Sequence, residues 1–160
     1  MILDKINSIL KNKKYIENLK LLEKLEENRE FCKHDLEHFL SVSRITYIKA
    51  LEKGLDISKD VIYAFGLLHD IGRVLEYTKG IEHQKASVII ASDILKETEY
   101  TEKEKELILN LIDSHRKKED LNSLEKLIKT SDKESRNCFD CKAYEKCYWS
   151  AQKKNNIIKY

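Results

Sequence analysis

The 160-residue sequence has no proline and only four glycines. Sheet-rich domains need turn residues roughly every 8 to 12 positions, and proline and glycine supply most of them. A sandwich or barrel is therefore excluded, and an all-helical fold is expected. Long apolar runs are also missing: no window approaches the roughly 18 consecutive apolar residues that a membrane-spanning helix requires. The opening residues, MILDKINSILKNKKYIENL, are charged throughout instead of forming the apolar core of a signal peptide. Neither sign of charge is in surplus, since 30 basic residues face 28 acidic ones for a net charge of +2. That balance disfavours nucleic acid as a default partner, and it leaves no acidic tail; with no apolar run long enough, no membrane partner is expected either. A cytoplasmic protein is expected.

What the chain does have is 36% charged and 41% hydrophobic residues. At this length one core can bury roughly 70% of the surface exposed by the unfolded chain, so one compact domain is expected. Apolar residues recur at helical spacing. Ile2, Ile6 and Ile9, then Ile16, Leu19 and Leu22, mark two amphipathic helices within residues 1–30. A third is expected over Asp35–Lys53 on Leu36, Phe39, Leu40, Ile45, Ile48 and Leu51, ended by a left-handed Gly54. Ser58 caps a fourth, carrying Val61, Ile62, Phe65, Leu68 and Val74 to Gly80. A fifth runs from Glu82 to Glu97. Thr101 and Glu104 have capping-box spacing and open a sixth that reaches His115. After a polar loop, Leu121, Leu124, Leu127 and Ile128 define a seventh. The expected organisation is a helical pair over 1–30 packed on the core, a central helical domain over 31–136 and a cysteine-containing tail over 137–160. The amphipathic pair fits packing on the core, a homodimer interface or a cover for a pocket alike.

Ionisable residues fall on the apolar faces of five of these helices. His38 lies on the line of Val42 and Ile45, and His69 stands four residues after Phe65 and seven after Ile62. His83 shares a face with Ala86 and Ile90, His115 with Ile112, Leu111 and Ile108, and Asp132 with Ile128. Asp70 is about 100° around the helix from His69, so the two side chains can still converge. A lone inward histidine is ordinarily hydrogen-bonded in a core. Six inward ionisable groups together need mutual partners, and imidazole plus carboxylate is a ligand set for iron, manganese, zinc or nickel. His34, near a helix start among charged residues, is expected at the surface.

The segments HFLSVSR from His38, GLLHDIGRV around His69 and Asp70, EHQKASVIIASDIL, LILNLIDSH and LIKTSDK resemble, in that order, the HD superfamily of metal-dependent phosphohydrolases. The resemblance covers about residues 31–136 and implies an all-helical bundle with metal held between helices. It implies a minimal site of His38, His69, Asp70 and Asp132. It also implies a second metal through His83 and His115, with Asp70 bridging. Two cations would give hydroxide near neutral pH and neutralise charge at phosphorus, which is hydrolysis of a phosphate ester or anhydride. Iron or manganese is favoured, with zinc or nickel also suited. The small bacterial members that split dinucleoside tetraphosphates resemble the chain in ligand order and compactness, so a phosphorylated small molecule, a nucleotide above all, is the expected substrate. Arg73, a turn beyond Asp70, is the first choice for a phosphate contact and a catalytic role beside Asp70, with Arg116 and Lys133 next. Some dinuclear members of the fold are di-iron oxygenases instead, and a non-catalytic regulatory module is the remaining alternative.

Cys138, Cys141 and Cys147 crowd the carboxyl end, and Cys32 stands far upstream. Three close thiols suggest structural zinc or an iron–sulfur cluster. Their spacing is similar to the last three cysteines of the cluster loop in endonuclease III-type DNA glycosylases, whose preceding cysteine is missing here. Cys32 precedes His38 by six residues, and Cys138 follows Asp132 by six. If His38 and Asp132 share a metal, both cysteines lie within about 9 Å of axial rise from it. Cys32 is thus a fourth donor, with His34 as the alternative and free thiols as the competing state.

Overall fold

The computed structural model describes residues 4–160, which form eight α-helices, one short 3-10 turn and no strand. Ile2 of the expected first stripe lies outside them. The helices are α1 (Asp4–Lys11), α2 (Lys13–Leu25), α3 (Leu36–Glu52), α4 (Lys59–Leu68), α5 (Arg73–Lys79), α6 (His83–Leu95), α7 (Glu102–Ser114) and α8 (Ser123–Glu134), followed by the 3-10 turn Cys138–Asp140. Among the described residues no helix is long and apolar enough to cross a membrane.

Side-chain caps start most of these helices. Asn12, Asp35, Ser58, Thr101 and Asn122 each accept a backbone N–H from the first turn of α2, α3, α4, α7 and α8, satisfying donors that the helix itself cannot. The Thr101–Glu104 capping box forms as its spacing predicts, and Asn122 and Glu125 make a second one. Gly54 and Gly80 adopt φ of +60° and +70° after α3 and α5, the conformation that a residue without Cβ takes at least cost.

α3 packs on α4 and α8, α6 on α5 and α7, and α7 on α4. Ile6, Ile9, Tyr15 and Leu22 bring α1 and α2 into the same core, against α4 and α5. The expected apolar stripe of α3 fails at its end, where Ile48 and Leu51 are exposed. Thr46, Lys49 and Ala50 take the inward face there, and Lys49 bonds Thr130 and Glu134 of α8, both at 2.6 Å.

The expected continuous helix from Ser58 to Gly80 is interrupted over residues 69–72, where the chain forms turns between α4 and α5. Gly72 permits close packing at this corner. A Cβ there would stand 2.1 Å from the Ser87 backbone nitrogen and 2.4 Å from the His83 carbonyl, so the glycine lets this corner press against the start of α6. The Gly72 N–H is satisfied by Ser87 Oγ at 2.8 Å. The turn carries His69 and Asp70 at the end of the most buried helix.

Candidate metal centre

All five histidines are buried, and each has one ring nitrogen anchored while the other faces an aspartate. His69 Nδ1 meets the Gly66 carbonyl at 2.8 Å, and His115 Nδ1 meets that of Ile112 at 2.5 Å. A carbonyl only accepts, so Nδ1 carries the proton in both rings. His83 Nδ1 meets Glu76 Oε1 at 3.1 Å, and His34 Nδ1 meets Glu26 Oε1 at 2.6 Å. His38 Nδ1 lies 3.0 Å from Ser135 Oγ, whose own proton goes to the Asp132 carbonyl, so His38 is again the donor. Neutral rings anchored in this way present Nε2 as a lone pair.

Those lone pairs converge on two carboxylates. His38 Nε2 is 3.3 Å from Asp132 Oδ1, and His69 Nε2 is 3.7 Å from the same atom and 3.5 Å from Asp70 Oδ2. On the other oxygen, Asp70 Oδ1 is 3.6 Å from His83 Nε2 and 3.5 Å from His115 Nε2. Two groups result, His38–His69–Asp70–Asp132 and Asp70–His83–His115, each with donor atoms within 4.8 Å of one another and with Asp70 in both. Among the described residues, the buried atoms without a hydrogen-bond partner include His38 Nε2, His69 Nε2, His115 Nε2 and Asp70 Oδ1 in this centre, and Arg73 Nε beside it.

Acceptors facing acceptors in a buried site call for a cation between them. Protons alone serve poorly, because an imidazolium at every ring would put five buried positive charges around two aspartates. Burial in fact pushes His38 down to about 4, and it lowers His34 and His83 as well. His69 is raised despite its burial, because Asp70 and Asp132 favour its charged form. Burial works to raise both aspartates but is outweighed. His69, His115, Arg73 and His34 hold Asp70 well below the usual carboxylate range, and His38 and His69 do the same for Asp132. Ionised carboxylates, lone-pair imidazoles and Nδ1 anchors together fit the outer-sphere pattern of metal-binding histidines.

A cavity of about 220 Å³ opens on Asp70, Asp132 and His115. Arg29, Arg73, Arg116, Lys133 and Arg136 line it. Arg73 is paired with Asp70 through Nε at 3.5 Å and with Glu76 through Nη1 at 3.2 Å. Arg116 donates from Nε to His83 Nε2 at 3.0 Å, the atom by which His83 enters the second group. Arg29 carried no signal in the sequence, since only the tertiary fold brings it here.

His34 departs from expectation. Far from lying on the surface, it is 5% exposed, and its Nε2 is 3.7 Å from Asp70 Oδ2. Glu26 at the end of α2 holds it twice, through Nδ1 and through its backbone N–H at 2.6 Å, and Tyr77 steadies the same carboxylate at 2.7 Å. It is thereby directed to the aspartate centre and away from the cysteines. All four cysteines are free thiols, and Cys32 and Cys147 line the cavity.

An all-helical bundle carries a paired histidine–aspartate centre that could hold metal, at a cavity lined by basic side chains. The chain belongs to the HD domain family, whose profile matches residues 35–137, the superfamily of metal-dependent phosphohydrolases that its motif order resembles. An uncharacterized protein of Clostridium beijerinckii is 42% identical over 158 residues, covering 99% of this chain and all of the relative. Ribonuclease Y of Mycoplasma mycoides is 33% identical over 100 residues, 62% of this chain and 18% of that protein. Ribonuclease Y of Clostridium botulinum is 31% identical over 116 residues, 71% of this chain and 20% of that protein. The chain thus spans about a fifth of the ribonucleases that it matches. No solved structure gives a significant match.

Proposed function

We propose that the chain hydrolyses a phosphate ester or anhydride of a nucleotide or dinucleoside polyphosphate, with His38, His69, Asp70 and Asp132 binding one divalent cation and Asp70, His83 and His115 a second. The observation that carries this reading is the convergence of anchored Nε2 lone pairs on the two oxygens of one buried carboxylate. Mixed imidazole and carboxylate donors suit iron or manganese, and also zinc or nickel. Such cations, when bound, acidify water and offset the charge that develops on phosphoryl oxygens.

The chain's own residues prepare the site. The Nδ1 anchors fix five rings against rotation. Arg73, held between Asp70 and Glu76, orients the shared carboxylate and presents its guanidinium at the cavity. Arg29, Arg116, Lys133 and Arg136 supply further positive charge for nonbridging phosphate oxygens. The His83 Nε2 lone pair cannot serve both a cation and the Arg116 N–H, so filling the second group requires Arg116 to release it and join the substrate side.

The ribonuclease Y relatives favour a second reading, in which the ester is a phosphodiester of RNA. The deciding experiment supplies manganese- or iron-loaded protein, without oxygen, with a dinucleoside tetraphosphate, nucleoside triphosphates and a short oligoribonucleotide. Release of phosphate or nucleotide is expected, and it should be abolished in Asp70→Ala with helical content unchanged. Failure on all three substrates, or substrate-dependent oxygen uptake in air, overturns the hydrolase reading in favour of a regulatory module or an oxygenase.

A further inference from the structure

Outside the histidine–aspartate centre, the four thiols are the remaining concentration of metal-binding side chains that the proposed hydrolysis does not use. We propose that Cys32, Cys138, Cys141 and Cys147 bind an iron–sulfur cluster that pins residues 137–160 against the cavity wall.

The fold brings Cys32 to the other three by contacts that flank every approach. On the side of Cys147, Phe31 packs edge-on against Tyr148 with ring centroids 6.4 Å apart, and Lys146 pairs with Glu30 at 2.8 Å. On the side of Cys138, Arg136 donates to the Lys33 carbonyl. The immediate neighbours of Cys32 therefore touch the immediate neighbours of Cys147 and the segment leading into Cys138. Cys138 and Cys141 are the two ends of one turn, closed by the Cys141 N–H on the Cys138 carbonyl at 3.2 Å. Burial pushes the Cys32 thiol up, Arg136 pulls it down, and Cys138, Cys141 and Cys147 each push it up again. All three partners thus stand within electrostatic reach of Cys32.

The sulfurs do not converge on a single-ion site. A single zinc needs its four sulfurs at about 2.3 Å, hence within about 3.8 Å of one another in a tetrahedron. Among the described residues, the groups of three or more donors within 4.8 Å of one another are the two histidine–aspartate groups, and neither contains a cysteine. A cluster of several irons, each taking one thiolate, spreads its ligands more widely than one ion does. The surroundings also suit an anionic cluster. The Trp149 N–H points at Cys147 Sγ at 3.5 Å, the kind of N–H to sulfur bond that stabilises such centres. Arg29 donates to the Cys32 carbonyl at 2.8 Å and, with Arg136, places positive charge beside the thiolates.

The test is reconstitution of the full metal-free chain with ferrous iron and sulfide under anaerobic conditions, followed by assay of acid-labile sulfide, which the histidine–aspartate centre cannot supply. About four sulfides per chain are expected for a four-iron cluster, with visible absorption that bleaches on reduction. Cys141→Ser and Cys32→Ala should each lose most of that sulfide. His69→Ala should keep it while losing metal at the other centre, so failure here and failure of the proposed hydrolase are separable. Absence of sulfide in the reconstituted wild-type chain overturns the proposal whether or not the variants fold. One zinc per chain that Cys141→Ser removes, or sulfide unchanged in both cysteine variants, overturns it equally.

Discussion

Glu76 shows how one exposed-side carboxylate can govern a buried centre. Its two oxygens hold His83 Nδ1 and Arg73 Nη1, so it sets both the donor direction of a second-group histidine and the guanidinium that orients Asp70. Glu76→Ala should weaken the second cation about 10- to 100-fold, the usual effect of removing an outer-sphere partner, and leave the first in place; titration with manganese, followed by metal content per chain, separates the two. His38, with His34 and His83 lowered in the same sense, contributes to the pH response of the metal-free chain. Its folded value of about 4 lies below the ordinary 6.5, so the native state favours the neutral ring. That contribution is complete above pH 6.5 and is lost as pH falls toward 4. Glu26, held near 2 against an ordinary 4.5 because the bonds from His34 and Tyr77 outweigh its burial, extends the loss below pH 4.5. Melting temperature of the metal-free chain should therefore fall steadily from pH 6.5 to 4, and a flat or rising profile would contradict these assignments. Four of the five histidines were legible in the sequence because each shares a helical face with apolar residues. His34 was not, because it precedes α3, where no periodicity exists, and because its burial is made by Glu26 and Tyr77 from distant segments.

At the scale of elements, the corner between α4 and α5 does the positioning. A glycine in an apolar run carries no helix-breaking signal by itself, so the sequence reads as one helix through Gly72. Only the arrival of α6 shows why residue 72 has no room for a side chain. The consequence for the site is direct, since His83 begins α6 and its carbonyl is one of the atoms that a Cβ on residue 72 would strike. Gly72→Ala meets backbone on both contacts, which cannot rotate away. A cost of about 3 kcal/mol is expected, at the upper end for overpacking, together with loss of metal from the second group as α6 shifts away from Asp70. Gly54→Ala is the matched control. There the added Cβ meets open space, and the cost is confined to the positive φ, about 1 kcal/mol. Denaturant melts of the two variants, read beside metal content, check both numbers. The Ser58 cap and the capping box at Thr101 were legible because they are local, although the equally local Asn122–Glu125 box went unread; the interruption at 69–72 and the Arg116–His83 contact were not, because each depends on segments remote in sequence.

For the whole molecule, the histidine–aspartate centre and the apolar core make separable contributions to stability. The core joins α1 through α8 by aliphatic and aromatic side chains, and it does not need a cation to stay buried. Metal-free protein should therefore keep its helical content. The centre behaves differently, because Asp70 and five histidines are buried there and Asp70 Oδ1 and the Nε2 atoms of His38, His69 and His115 have no hydrogen-bond partner. A ligand that binds only the native state stabilises it by RT ln(1 + [L]/Kd), about 2.7 kcal/mol at a hundredfold excess over Kd. For a chain of this size each kcal/mol moves the midpoint by roughly 2 to 4 °C. Adding manganese or iron at that excess to dialysed protein should raise the melting temperature by roughly 5 to 10 °C with almost no change in helical signal. Asp132→Ala removes one of the two carboxylates, but it leaves the Asp70, His83 and His115 group intact. It should reduce that rise, and Asp70→Ala, which breaks both groups, should abolish it. Equal shifts in wild type and in Asp70→Ala would place the stabilising metal elsewhere on the chain.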